Sequence, residues 1–278
     1  PLVGLTGVAR SRFGVRPADA ETPETTWFDT AGDQRYRSDT SLVVTDHETV
    51  HGPVTQYDLT VDDVHVTHFD ASDADEALDV VAGLGFAPDG RDTRIAQLHH
   101  GDAVEVYHAE EADFLASATG FDAVQGSAFG GFSELLGETP AEYPRTGPRN
   151  PYDEDLLSGD VVGVLPVEDG TATLATLLTN REETPRNEAL DAVRTATDRD
   201  DAELEHAAEA QVDHPADADL PHAAAVATDR RVLSLLAGRS GLRIAAPDFD
   251  PYYAHSGGYG YTWFRDDAEI SRFLLEAD

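Results

Sequence analysis

Val54-Thr55-Gln56-Tyr57-Asp58-Leu59-Thr60-Val61 and, two residues on, Val64-His65-Val66-Thr67-His68-Phe69 are the stretches that decide the fold. Apolar and polar side chains alternate along them, the period of an extended chain with one face buried and the other wetted. Ser41-Leu42-Val43-Val44-Thr45 precedes them, so such runs recur at intervals of about ten residues with polar turns between, the rhythm of an antiparallel all-β layer. Outward along the chain, further strands are expected at Arg94-Ile95-Ala96-Gln97-Leu98, Ala103-Val104-Glu105-Val106-Tyr107-His108, Val161-Val162-Gly163-Val164-Leu165 and Thr171-Ala172-Thr173-Leu174-Ala175-Thr176-Leu177-Leu178. Glu168-Asp169-Gly170 joins the last two, and Asp-Gly favours a tight hairpin because Gly accepts positive φ. Residues 1–180 therefore read as an antiparallel β-sandwich, making the chain mainly β. Asp73–Leu84 reads as a helix instead, with Ala74, Ala77, Leu78, Val81 and Ala82 at helical spacing and Gly83 or Gly85 ending it; a strand at Leu78-Asp79-Val80-Val81 is the alternative.

The period changes after about residue 180. Thr184-Pro185 supplies an N-cap and a first-turn proline, and Leu190, Val193, Leu204, Ala207 and Ala208 follow in a segment that Pro215 must end. A second helix is expected from Pro221 to Ala237, with Val226, Leu233 and Leu236 inward and Gly238 closing it. The organisation is thus a sandwich over 1–180, a helical linker over 181–240, and a further domain opening at 241–278, after Ser240-Gly241 and before the strand-like Leu242-Arg243-Ile244-Ala245.

Charge sets the habitat. With 54 acidic residues against 19 basic ones, all of them Arg, the net charge is -35. Such self-repulsion is screened when the Debye length shrinks to about 3 Å at 1 M salt, so the composition reads as halophilic. Nucleic acid is disfavoured as a partner, because phosphates would meet a field of like sign. Cysteine is absent, which excludes disulfides, thiolate catalysis and Cys-ligated zinc. No apolar run approaches the roughly 18 residues of a membrane span, so no membrane partner is expected.

The chemistry concentrates in Gly257-Gly258-Tyr259-Gly260-Tyr261-Thr262-Trp263-Phe264-Arg265-Asp266-Asp267. Aromatic rings offer faces to the C–H surface of a sugar, and an Arg beside a carboxylate offers charged hydrogen bonds to its hydroxyls. Ile270, Phe273, Leu274 and Ala277 then fall at helical spacing as one buried stripe, with Asp266 or Asp267 placed to cap the first turn.

Tyr259-Gly260-Tyr261-Thr262-Trp263-Phe264-Arg265-Asp266 resembles the Tyr-x-Tyr-x-Trp-x-Arg-Asp segment that opens the catalytic domain of glucoamylases and other members of glycoside hydrolase family 15. Ile244-Ala245-Ala246-Pro247-Asp248-Phe249-Asp250 is similar to the lead-in of prokaryotic members, so the resemblance covers residues 230–278. It implies a super-sandwich, linker helices and the first helix of an (α/α)6 barrel. It further implies that Arg265 and Asp266 clamp the non-reducing glucose, Trp263 and Tyr261 line the same pocket, and Tyr259 lies near the anomeric centre. The implied intact enzyme is an inverting, exo-acting hydrolase releasing glucose from starch-like or malto-oligosaccharide ends. Its two catalytic glutamates match no residue here, so the chain alone is expected to be inactive. Pro1-Leu2-Val3-Gly4 is similar to the inside of the family's first strands, so both ends read as cut. The haloarchaeal cytoplasm is the favoured location, with an extracellular one open. A non-catalytic carbohydrate-binding or support sandwich, and a trehalose or isomalto-oligosaccharide specificity within the family, are the alternative readings.

Other constellations carry less. His65 with His68, and His99-His100 with His108, lack a zinc-ligand spacing and read as surface or strand-packing residues. Asp248, Asp250, Asp266 and Asp267 offer hard oxygens for calcium, without an EF-hand pattern; no cofactor is otherwise expected. Gly126-Ser127-Ala128-Phe129-Gly130-Gly131-Phe132 lacks the ending of a phosphate loop and reads as turn structure, and no Gly-x-Ser-x-Gly elbow marks a serine hydrolase, although spacing alone leaves a Ser-His-Asp triad open.

Overall fold

A computed structural model of the protein describes residues 8–20, 24–28, 32–37, 40–86, 95–108, 111–126, 153–157, 160–211, 222–238, 240–244 and 262–277. Tyr259, Tyr261, Asp248, Asp250 and the Gly126–Phe132 run beyond Gly126 lie outside the described residues. The strands are β1 (Val8–Pro17), β2 (Thr26–Trp27), β3 (Asp33–Tyr36), β4 (Val43–Thr49), β5 (Gly52–Val61), β6 (Val64–Asp70), β7 (Leu78–Phe86), β8 (Ile95–His99), β9 (Ala103–His108), β10 (Glu111–Ser117), β11 (Ala123–Gly126), β12 (Asp153–Leu157), β13 (Asp160–Pro166) and β14 (Thr171–Leu177). The helices are α1 (Arg186–Thr197), α2 (Asp201–Ala210), α3 (Ala223–Leu235) and α4 (Phe264–Ala277).

Two antiparallel sheets form the sandwich, a five-stranded one in the order β11-β13-β7-β1-β2 and a nine-stranded one in the order β12-β8-β9-β10-β14-β6-β5-β4-β3. Val15, Val80, Leu84, Phe86, Val161 and Leu165 from the smaller sheet meet Phe69, Val104, Val106, Leu115 and Leu174 from the larger one in a shared interior. The alternation that marked β5 and β6 comes from this two-sidedness, but the second face is also covered. On it, Leu59, Val66, Phe114 and Leu177 pack against Ala189, Leu190, Val193 and Ala196 of α1 and Leu204 and Ala208 of α2. The first two helices of the 181–240 segment therefore share a core with the sandwich as a third layer.

Charged groups tie this layer down. Arg194 grips Asp102 with three contacts of 2.7 to 3.1 Å, and Arg37 forks onto Glu205 at 3.1 Å for both oxygens. Glu105 is wholly buried and takes Arg181 at 3.0 Å, Arg186 at 2.7 Å and His100 at 3.1 Å, while Arg181 also lies 4.2 Å above the Tyr107 ring. Burial alone would raise the Glu105 pKa; the bonds from His100, Arg186 and Arg181 outweigh it and bring the group to about 2.

Three expectations need correction. The 73–84 helix does not form: Leu78–Phe86 is the central strand of the smaller sheet, with every residue buried, so it has no polar face to give period two. The Asp169-Gly170 turn is present, with φ of 51° and 85° and reciprocal Glu168–Thr171 backbone bonds of 3.0 and 2.9 Å. The strands it joins are not a hairpin, however, because β13 enters the smaller sheet and β14 the larger; the turn is a corner between layers. Finally, the first helical segment breaks at Asp198-Arg199-Asp200, where Asp200 and Glu203 form a reciprocal capping box that starts α2.

Candidate functional site

The helix α4 begins at Phe264, earlier than the cap positions expected from sequence. Asp266 and Asp267 lie inside the first turn, where the partial positive charge of unpaired N–H groups favours carboxylates. Trp263 immediately precedes the helix and is 43% exposed. Arg265 projects from the first turn with 80% of its side chain in solvent and donates from Nη2 to Asp266 Oδ2 at 3.2 Å. The Trp face and the Arg–carboxylate pair are thus accessible, and nothing described seals them in an interior.

Asp267 has a different task. Its Oδ1 accepts the Arg243 backbone N–H at 3.2 Å and stands 3.6 Å from the Arg243 guanidinium, and its own N–H donates to Trp263 O at 2.9 Å. Ile244 N–H in turn donates to Leu236 O at 3.1 Å. The start of α4 is therefore strapped to residues 242–244 and through them to the end of α3. Arg231 of α3 sits 4.2 Å over the Tyr36 ring of β3, which connects the helical pair to the sandwich edge. Sequence reasoning did not single out Arg243, because an isolated Arg in a strand-like run carries no local signal of a partner 24 residues away.

The apolar stripe of α4 is present but not buried: Ile270 and Leu274 are half-covered, and Phe273 is 37% exposed. No residue of α3 is buried either, and Val226 and Leu233, expected inward, are half-covered. Phe264 and Leu275 stand 82% and 79% exposed. The C-terminal helices thus present apolar side chains that the described residues leave open, in contrast to α1 and α2.

Of the histidines singled out by the sequence, His65, His68, His99 and His108 lie in strands. His65 and His68 face opposite sides of β6, bonded to Asp58 and Thr173 respectively, and among the described residues no group of three or more His, Asp or Glu is placed to hold a metal ion. Asp266 and Asp267 are engaged by Arg265 and Arg243. Two groups inside the sandwich are held uncharged. Burial raises Asp113 to about 8, with the negative Glu111 adding to it against one N–H bond from Thr179. Burial, helped by His100, lowers His99 to about 4.

The Asp113 shift makes stability fall as pH rises. In the unfolded chain the carboxyl titrates near 3.9, so between there and about 8 the unfolded state is charged while the folded state still holds its proton. Each step up through that window favours unfolding, and the loss is complete above it. Asp113→Asn removes the group that titrates. His99, held neutral in the fold, adds stability to both proteins as pH rises toward 6.5, so the Asp113 effect is read as a difference between them. From pH 5 to pH 8 the unfolding free energy from urea titration should fall in the wild type relative to Asp113→Asn, by on the order of 4 kcal/mol at about 1.4 kcal/mol per pH unit. A parallel pH dependence in both proteins would show that Asp113 is ionised in the fold.

The layered sheets with helices on one outer face define an architecture found in glycoside hydrolases. Residues 1–189 match the family described as domain of unknown function DUF7997, and the chain belongs to that family. No curated protein matches the sequence. Among solved structures, a bacterial glucoamylase complexed with acarbose is similar over 98% of this chain and 42% of its own, with a TM-score of 0.68 and 10% identity. A family GH92 α-mannosidase from Bacteroides thetaiotaomicron is similar over 86% of this chain and 34% of its own, with a TM-score of 0.50 and 10% identity. The chain spans less than half the length of either protein, and at these identities the likeness is one of fold.

Proposed function

We propose that the chain comprises the sandwich (1–180), the helical linker (181–240) and the opening of the catalytic domain (241–278) of an inverting, exo-acting glucoamylase-like hydrolase of α-glucans. One observation carries the reading: the likeness in fold to a glucoamylase runs along 98% of the chain. It is supported by the segment with Trp263, Arg265 and Asp266 at the start of α4, which is open to solvent rather than packed away. A Trp face with an exposed Arg–carboxylate pair suits the hydroxyls and C–H surface of a sugar. The resemblance of their segment would assign Tyr259 and Tyr261 to the same sugar. The open apolar faces of α3 and α4 support further helices packing against them in the intact protein.

In this reading Arg265 and Asp266 hold the terminal glucose, while the general acid and the general base belong to the remainder of the catalytic domain. Those two carboxylates would flank the scissile bond roughly 6.5 to 9.5 Å apart, leaving room for the attacking water. The surplus of acidic residues supports a haloarchaeal source with a salt-rich cytoplasm. The test is the anomer of the product. Intact protein given maltotriose in high salt should release β-glucose first, followed by proton NMR, and residues 1–278 alone should release none. Initial α-glucose, or turnover by residues 1–278 alone, would sink the proposal.

A second reading is favoured by one observation: glycosidases named for different sugars, a glucoamylase and an α-mannosidase, both share this architecture. The sandwich would then be a support or glycan-binding module independent of specificity. Binding of starch by residues 1–211 alone would favour it.

A further inference from the structure

We propose that Thr60, His65 and Asp58 form a hydroxyl, imidazole and carboxylate relay in which Thr60 accepts an acyl group from neutral activated esters. The three share one face of the β5–β6 hairpin because the register sets Thr60 opposite His65 and Asp58 opposite Thr67. Asp58 Oδ2 accepts from Gln56 Nε2 at 2.7 Å and Oδ1 accepts from Thr67 Oγ1 at 2.9 Å, which holds the group as a carboxylate. His65 Nε2 lies 3.3 Å from Asp58 Oδ1, so that nitrogen carries the proton. Nδ1 is left with its lone pair, 3.0 Å from Thr60 Oγ1, and the threonine hydroxyl must donate to it.

A nucleophile bonded to a base, and the base oriented by a third group, is the arrangement that activates a hydroxyl. Exposure is graded to suit: the side chains of Asp58 and His65 are 14% and 17% exposed, whereas Thr60 is open to solvent beside the Asp62-Asp63 turn. Gln211, at the end of α2, donates to the Thr60 carbonyl at 2.8 Å and fixes the nucleophile's backbone. The two carboxylates of the adjoining turn disfavour anionic donors such as phosphoanhydrides at short range, leaving neutral acyl compounds as the class admitted.

In the step itself, Thr60 Oγ1 bonds to the carbonyl carbon as its proton moves to His65 Nδ1. The alkoxide or phenolate then leaves with the electron pair of its own C–O bond and takes up that proton. Water attacks the resulting Thr60 ester with His65 again as base, releasing the carboxylic acid and restoring the hydroxyl.

The probe is 4-nitrophenyl acetate, given to the protein comprising residues 1–278 in high salt. The expected result is a burst of nitrophenolate with one acetyl group mapped by mass spectrometry to Thr60. Labelling is abolished in Thr60→Val, retained in Thr60→Ser, and slowed at least about tenfold in His65→Gln and Asp58→Asn. Acetylation that proceeds at the wild-type rate in Thr60→Val, labelling confined to other residues, or no acetyl adduct on either the wild type or Thr60→Ser would overturn the proposal.

Discussion

Replacing Arg265 by alanine in the intact glycosidase proposed above is expected to lower kcat/KM for malto-oligosaccharides by roughly 100-fold or more, with little change in melting temperature. The guanidinium is mostly in solvent and donates to Asp266 at the helix start, so removing it opens no cavity and strands no buried group. Surface changes of that kind fall within about 0.5 kcal/mol of stability. A side chain that positions the reacting sugar is another matter, since a misplacement of about 1 Å costs on the order of 100-fold in rate. The loss should therefore appear in kcat/KM, measured by glucose release, and be absent from the melting curve. Near-normal turnover would remove Arg265 from the pocket.

Cutting the chain after residue 180 is expected to abolish soluble folding, whereas a chain ending at residue 211 should fold. The reason lies on the outer face of the nine-stranded sheet. Leu190, Val193 and Leu204 are buried against Leu59, Val66 and Leu177, and each such side chain contributes about 1.5 to 3 kcal/mol by leaving water. Three of them approach the roughly 5 to 15 kcal/mol that a whole domain has in hand. Deleting α1 and α2 also leaves Glu105 buried without Arg181 and Arg186. Size-exclusion chromatography with dye binding reads the outcome: aggregates or a dye-binding collapsed state for 1–180, a compact monomer for 1–211. A compact, cooperatively unfolding 1–180 fragment would show that the helical layer is dispensable.

That helical layer marks where sequence reading stopped. Its residues were legible as helix from Leu190, Val193 and Leu204, but the partner of an apolar stripe is not written in the stripe. The stripes of α1 and α4 look alike in sequence; one is buried on a sheet, while the other remains open among the described residues. Likewise β10 was not foreseen. Glu111–Ser117 is sealed by the smaller sheet on one side and α1 on the other, so six of its seven residues are buried, Asp113 among them. A strand covered on both faces loses its alternation, which also disguised Leu78–Phe86 as a helix.

In the candidate site, Trp263, Arg265 and Asp266 were legible because aromatic and ionic residues crowd one short segment. Arg243 was not, since its bond to Asp267 exists only after the chain has turned back.

The sequence by itself determined the mainly β character, the strands whose residues alternate in polarity and the acidic balance, because periodicity, turn chemistry and charge are local quantities carried by neighbouring residues. Only the tertiary structure decided which strands share a sheet, that the Asp169-Gly170 turn crosses between layers, and that α1 and α2 belong to the sandwich. Those outcomes depend on contacts between residues far apart in the chain, whose energies arise only when two surfaces meet and expel water.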